Sequence, residues 1–223
     1  MGKLTRQAVL EGALRLADEE GVEAVTIRRL AGELQVTPMA LYWHFKNKTE
    51  LLTAAVDHLM AGVIADVRPD RDWRERLRVI VEALVGTMRA HPSLPALLQV
   101  ADKEQAESFT RATEATLDIL AEAGFTLDEG YTIASYLLNG AVTLVHGRLD
   151  CRAGMTPEKV AQERRMHALR LQALPPDCFP RLVEYGRTLE EPSDAEEYFS
   201  FGVDLLIAGV EAMAAKRARE GTA

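Results

Sequence analysis

The 223-residue chain has only two cysteines, Cys151 and Cys178, each alone in its segment with no CxxC or Cys/His spacing. A disulfide framework and a structural zinc site are thereby excluded, and both thiols read as packing or surface groups. No HExxH, GxSxG or glycine-rich phosphate loop occurs, and the five histidines, His44, His58, His91, His146 and His167, are scattered. No enzyme centre, metal or cofactor is expected from such a pattern. Apolar runs that approach the roughly 18 residues of a membrane span are missing, and acids and bases interrupt the N-terminal stretch MGKLTRQAVLEGALRLADEEG. The expectation is a soluble cytoplasmic protein with no membrane partner. Strand-like alternation between turn residues is absent as well, so the fold class is all-α.

Aromatic residues are scarce, at 6% of the chain, yet Tyr42, Trp43, His44 and Phe45 put four rings side by side in VTPMALYWHFKNKTELL. The rest of the composition is that of an ordinary globular protein, 48% hydrophobic and 27% charged. Net charge is −8, which argues against a polyanionic partner until its distribution is read. Residues 1–48 carry seven bases and six acids, so the acidic excess belongs entirely to the remainder. Between Thr26 and Lys48, Arg28, Arg29, Lys46 and Lys48 face one acid, Glu33. A polyanion would be attracted there and repelled elsewhere.

Apolar spacing and capping residues predict a first helix near Thr5–Glu20, ending at Gly21, and a second beginning at Thr26. A third follows Thr37, with Pro38 at its first position, where a missing N–H costs nothing. Asn47 and Glu50 have the spacing of a capping box for a fourth. Two short helices joined tightly, the second opened by Thr-Pro, fit a helix-turn-helix. Further helices are expected near 73–90, 104–123, 127–150, 157–173 and 195–217, with Pro92, Pro95, Gly124 and Pro175-Pro176 as breaks.

At about 100° per residue, Leu41 and Phe45 fall together as an inward pair, while Met39, Tyr42, Trp43 and Lys46 occupy the opposite arc. An aromatic pair at helical spacing is more often core than contact surface. Here the Thr37 cap, the angular split and the local positive charge together favour a surface that clamps phosphates and reads the major groove.

The segment Leu4–Leu52, through GVEAVTIRRLA, LQVTPMALYWHFKNK and the capped fourth helix, resembles the DNA-binding domain of the TetR family of bacterial transcriptional regulators. LYWHFKNK, GFTLDEGYTIAS and EYFSFGVDLLIAGVEAM are similar to the branch that contains the tetracycline repressor. The resemblance implies a DNA-binding domain over residues 1–48 and a ligand-binding and dimerisation domain over 49–223. It also implies a homodimer that places one third helix in each half of a palindromic double-stranded DNA operator. By position, Thr26 would hold a phosphate and Arg28 a base edge. Thr37, Pro38, Met39 and Ala40 would face bases, and Tyr42, Trp43, His44 and Lys48 would grip phosphates. Arg29 is equally readable as a surface charge or an internal ion-pair partner.

In the larger domain, the last helix is apolar over most of its circumference, with Glu197, Asp204 and Glu211 as a narrow polar strip. Such a helix must be covered from two directions, and a dimer interface suits it better than a fully internal place in one subunit. The resemblance implies that it pairs with the 127–150 helix in a four-helix bundle between two subunits. Gly202 and Gly209 would allow close helix approach. The helix after Leu127 carries a polar stripe, Thr132, Tyr136, Asn139, Thr143 and His146. It suits either a dimer interface, favoured for His146, or a cavity, favoured for Asn139 and Thr143. Met60, Ile64, Leu84, Met88, Leu98 and Phe109 are candidates for the apolar wall of a small-molecule effector site. Positions that match imidazole and carboxylate ligands of the magnesium–tetracycline complex hold Ile64, Leu98 and Gly147, which points to a more apolar, metal-free effector. A ligand-blind architectural DNA-binding protein is the alternative reading, and an enzyme the remoter one.

Overall fold

A computed structural model describes residues 4–151, 155–189, 191 and 194–220. Residues 1 and 223, the outer limits expected for the two domains, lie outside them. Among the described residues there are eleven α-helices and no strand. They are α1 (Arg6–Glu20), α2 (Ile27–Glu33), α3 (Pro38–Tyr42), α4 (Lys48–Met60), α5 (Trp73–Ala90), α6 (Leu94–Val100), α7 (Glu107–Glu122), α8 (Leu127–His146), α9 (Pro157–Gln172), α10 (Pro180–Thr188) and α11 (Ala195–Glu220).

The first four helices are short, and side-chain caps define their starts. Thr5, Thr26, Thr37 and Asn47 each accept a hydrogen bond from an amide three residues on, satisfying a donor that the helix itself leaves open. Glu50 reaches back to the Lys46 amide at 2.7 Å, one residue earlier than a standard capping box requires. α1 stops at Gly21, whose φ of 90° lies where a side chain would be strained. The turn between α2 and α3 uses the same left-handed region at a non-glycine, Gln35, with φ of 54°. Val9, Ala13 and Leu16 of α1 pack with Leu30, Leu41 and Phe45 into the core under the recognition helix. α4 packs against α1 on one side and against α6 and α7 on the other. The expected domain limit at residue 48 therefore falls where one helix enters both units.

In the larger domain α5, α7, α8 and α11 form a bundle. α8 opens with a capping box, Thr126 and Glu129 exchanging hydrogen bonds. α8 and α11 cross closely: a Cβ on Gly140 would lie 2.7 Å from a Leu206 methyl, and one on Gly202 would collide with Leu144. Gly209, by contrast, faces open space. Asp204 and Glu211 of α11 pair with Arg78 and Arg74 of α5, which accounts for two charges of the expected polar strip. α11 is long and apolar enough to cross a membrane by length and composition, yet these paired acids and its buried Phe199, Val203, Ile207 and Val210 fit a bundle helix.

Four expectations change. α6 runs through Pro95, because a proline in the first helical turn removes no intrahelical hydrogen bond. α7 begins at Glu107 after a 3-10 turn at Lys103–Gln105, and α8 stops at His146 rather than at residue 150. α10 is an additional helix, opened by Pro180 and packed against α9.

Candidate DNA interface and regulatory cavity

The recognition surface follows from the division of α3 and the turn after it, residues 43–45, into two faces. Leu41 and Phe45 are 0% and 1% exposed, whereas Met39, Tyr42 and Trp43 are 67%, 49% and 85% exposed. Trp43 is a large apolar ring left in water, a costly placement unless something covers it. Thr26, Arg28, Thr37 and Pro38 are also exposed, and Ala40, His44 and Lys48 are half-buried. Thr26 and Thr37 use an oxygen lone pair for capping, so each hydroxyl proton is free for a phosphate. Lys48 Nζ donates to the Val22 carbonyl at 3.2 Å, which fixes the ammonium beside the start of α4 and leaves two donors. Arg29 is held by Glu20 at 2.6 Å and Glu33 at 3.3 Å, so it is an ion-pair partner. Arg28 has no ion pair or hydrogen-bonding side-chain partner within the described residues, and its guanidinium is available to DNA. Arg6, which the sequence reading passed over, stacks its guanidinium 4.5 Å from the Phe45 ring centre and supports the recognition segment from behind.

Beside α4 lies a half-open cavity of about 100 Å³ lined by residues of α4, α5, α7 and α8. Met60, Leu84 and Phe109 line it, as the sequence reading placed them. Ile64, Met88 and Leu98 do not: the chain leaves helix after Met60, so Val63 rather than Ile64 turns inward, and Met88 and Leu98 are buried in core elsewhere. Asn139 and Thr143 are corrected too, since both lie exposed on the outer face of α8 with Thr132, Tyr136 and His146. The polar groups that do reach the cavity are Thr113, Thr116, Tyr131 and Ser135, together with the apolar Ile80, Val81 and Ala112. Thr113 and Thr116, three apart in α7, are the sequence signal that would have found two of them. No carboxylate, imidazole or ammonium lines this space, so a magnesium–tetracycline chelate has no ligand set here. The Tyr198 hydroxyl also stands 2.7 Å from where a Cβ on Gly147 would be, so a longer side chain at that position would have to displace it.

Polar clasps join the two regions. Asp18, near the end of α1, accepts from the Ser93 amide at 3.0 Å and hydroxyl at 2.6 Å, and lies 2.8 Å from His91 Nδ1. On α4, Thr53 accepts from the Asp102 amide at 3.1 Å, and Asp57 from the Ser108 amide at 2.6 Å. Ser108 begins the same helix whose Phe109, Thr113 and Thr116 line the cavity. α4 is thus tied directly to a cavity wall. Cys151 is half-buried, and burial, then the neighbouring Asp150, pushes its thiol up, away from reactivity.

A helix-turn-helix with an exposed reading face, fastened to a helical domain with a cavity, defines a ligand-responsive DNA-binding regulator of transcription. Residues 9–55 match the description "Bacterial regulatory proteins, tetR family", and residues 67–214 match "Tetracyclin repressor-like, C-terminal domain". The chain belongs to the TetR family. It is 32% identical to the class C tetracycline repressor protein of Escherichia coli, over 96% of this chain and 93% of that protein. Among solved structures, apo ActR from Streptomyces coelicolor superposes with a TM-score of 0.74 at 25% identity, covering 97% of this chain and 99% of that one. ActR in complex with (S)-DNPA has the same fold, with a TM-score of 0.73 at 24% identity over 95% and 99% of the two chains.

Proposed function

We propose that the protein is a soluble, cytoplasmic homodimer that represses transcription from a palindromic operator and is released by a small, metal-free, largely apolar effector bound in the cavity between α5, α7 and α8. The observation that carries the DNA-binding part is the pair of faces on α3, with Leu41 and Phe45 buried beneath an exposed Met39, Tyr42 and Trp43. In this reading Arg28 reads a base edge and Thr37, Pro38, Met39 and Ala40 face bases. Thr26, Tyr42, Trp43, His44 and Lys48 hold the backbone.

The dimer is supported by exposed side chains on two neighbouring helices: Tyr136 on the outer face of α8, beside Thr132, Asn139 and Thr143, and Phe201, Leu205 and Met213 on α11, the large apolar ones all more than half exposed. A second copy would cover them in a four-helix bundle. The cavity is smaller than the ~300–1,000 Å³ of drug-sized ligand sites, so a larger effector must part α7 from α8. Displacement of α7 would pull α4 through the Asp57–Ser108 hydrogen bond and change the separation of two reading heads set about one helical turn, roughly 34–36 Å, apart. The complex of ActR with (S)-DNPA supports a small-molecule effector for this chain also. Nothing about the chain calls for turnover of that molecule.

Selection of bound duplexes from a random pool, repeated with candidate compounds, tests the whole reading. The expected result is a palindrome lost from the selected pool when one compound is present. Sequence-insensitive binding that depends steeply on salt and ignores every compound would instead mark a ligand-blind architectural protein.

A further inference from the structure

The hydroxyls that reach the cavity share one property. Thr113 Oγ donates to the Phe109 carbonyl at 3.0 Å, Thr116 Oγ to the Ala112 carbonyl at 2.8 Å, and Ser135 Oγ to the Tyr131 carbonyl at 2.9 Å. A hydroxyl has one proton and two lone pairs. With the proton committed to the helix backbone, each oxygen can only accept. Thr116 lines the cavity and is 7% exposed, so bulk water has little access to its oxygen. Tyr131 keeps a free phenol proton, but it is 61% exposed and stands at the mouth. The inner wall is therefore apolar except for acceptors, and no lining side chain carries charge.

Resting on the reading of this cavity as the effector site, we infer that the effector is a neutral molecule whose buried end is a hydroxyl or phenol directed at Thr116 and Thr113. A ketone, ether or quinone oxygen there would meet only lone pairs, unless a threonine gave up its backbone hydrogen bond. A carboxylate would be desolvated with no cation or proton to answer it. A hydroxyl satisfies itself and the threonine together, and a site built to hydrogen-bond a substrate group rejects analogues that lack it.

Toluene, anisole, phenol and benzoate separate these possibilities, single rings being the smallest aromatic probes to offer a cavity of about 100 Å³. Their binding to the full chain is measured by isothermal titration. A wall with no usable acceptor ranks them by hydrophobicity, toluene first and phenol after anisole. An acceptor wall makes phenol bind about tenfold more tightly than anisole, with benzoate undetected. Thr116→Val keeps the side-chain shape and should erase the preference for phenol over anisole while leaving toluene affinity in place. Thr113→Val repeats the comparison should the first variant fold poorly, as judged by its helical circular dichroism. Toluene binding with no preference for phenol overturns the donor inference and leaves the cavity reading standing. Failure of all four probes to bind overturns both.

Discussion

The reading unit and the bundle above it are both helical, yet their sequences specify them by different means. α1 to α4 run from 5 to 15 residues, and each is fixed by a capping side chain and by buried residues on one face. α8 and α11 are 20 and 26 residues long and apolar on more than one face. In the first unit each residue has one plausible direction, so burial and exposure define roles. In the second, several faces could be inward, and only packing selects among them.

The sharpest test of that contrast pairs two positions two residues apart, one in α3 and one at its C-terminal cap. Leu41→Ala removes a fully buried side chain and should cost about 2–5 kcal/mol, abolishing operator binding with the fold of the reading unit. Trp43→Ala, at 85% exposure, should change stability by less than ~0.5 kcal/mol while weakening DNA binding. Chemical denaturation beside an electrophoretic shift assay distinguishes them, and equal destabilisation would end the two-face account of α3.

Next in size is the joint between the units. Asp18→Ala strips both donors of Ser93 and the His91 ring of their acceptor, and a loss of about 1–3 kcal/mol is expected. Effector response should fall further than operator affinity, measured as the ratio of DNA affinity with and without ligand. An unchanged ratio would confine Asp18 to stability.

Within the DNA face, Arg28→Ala should relax specificity at one base pair by ~1–3 kcal/mol, and Lys48→Ala should weaken every operator variant alike. Identical profiles for the two mutants across an operator panel would erase the distinction between reading and gripping.

The smallest effect concerns the start of α8. The Thr126 amide, then the Thr126 hydroxyl and Arg217, hold the Glu129 carboxyl below its usual range. A depressed carboxylate contributes its full stability above its unfolded value, near 4.3, and loses it as pH falls through the lower folded value. Melting temperature followed from neutral to acid pH should show that loss in the parent, and a shallower one in Glu129→Gln. Parallel curves would show that the exposed capping box contributes nothing measurable.

The all-α class, the helix-turn-helix and the starts of α3, α4 and α8 were legible because caps, prolines and periodicity act locally. Leu41 and Phe45 were legible because they are four residues apart in a short segment whose other large side chains fall on the opposite arc. α6 was missed because Pro95 reads as a break unless the helix start is known to lie beside it. Val63 and Ile64 were exchanged because helical phase is lost where α4 ends. Asn139 and Thr143 were turned inward because a polar stripe on an apolar helix suits a cavity and an interface equally well. Their exposure is a property of which neighbours α8 has, and no residue in α8 states it.

The two sets of clasps have a kinematic consequence. Asp18 pins α1 to the segment before α6, and Thr53 with Asp57 pins α4 to the segments around the start of α7. A rigid body held at two separated points cannot slide; it retains one degree of freedom, rotation about the line between them. In the proposed response the clasps therefore act as hinges rather than locks, and whatever turn α7 imposes on α4 is shared by α1, which packs with it, and through α2 by α3.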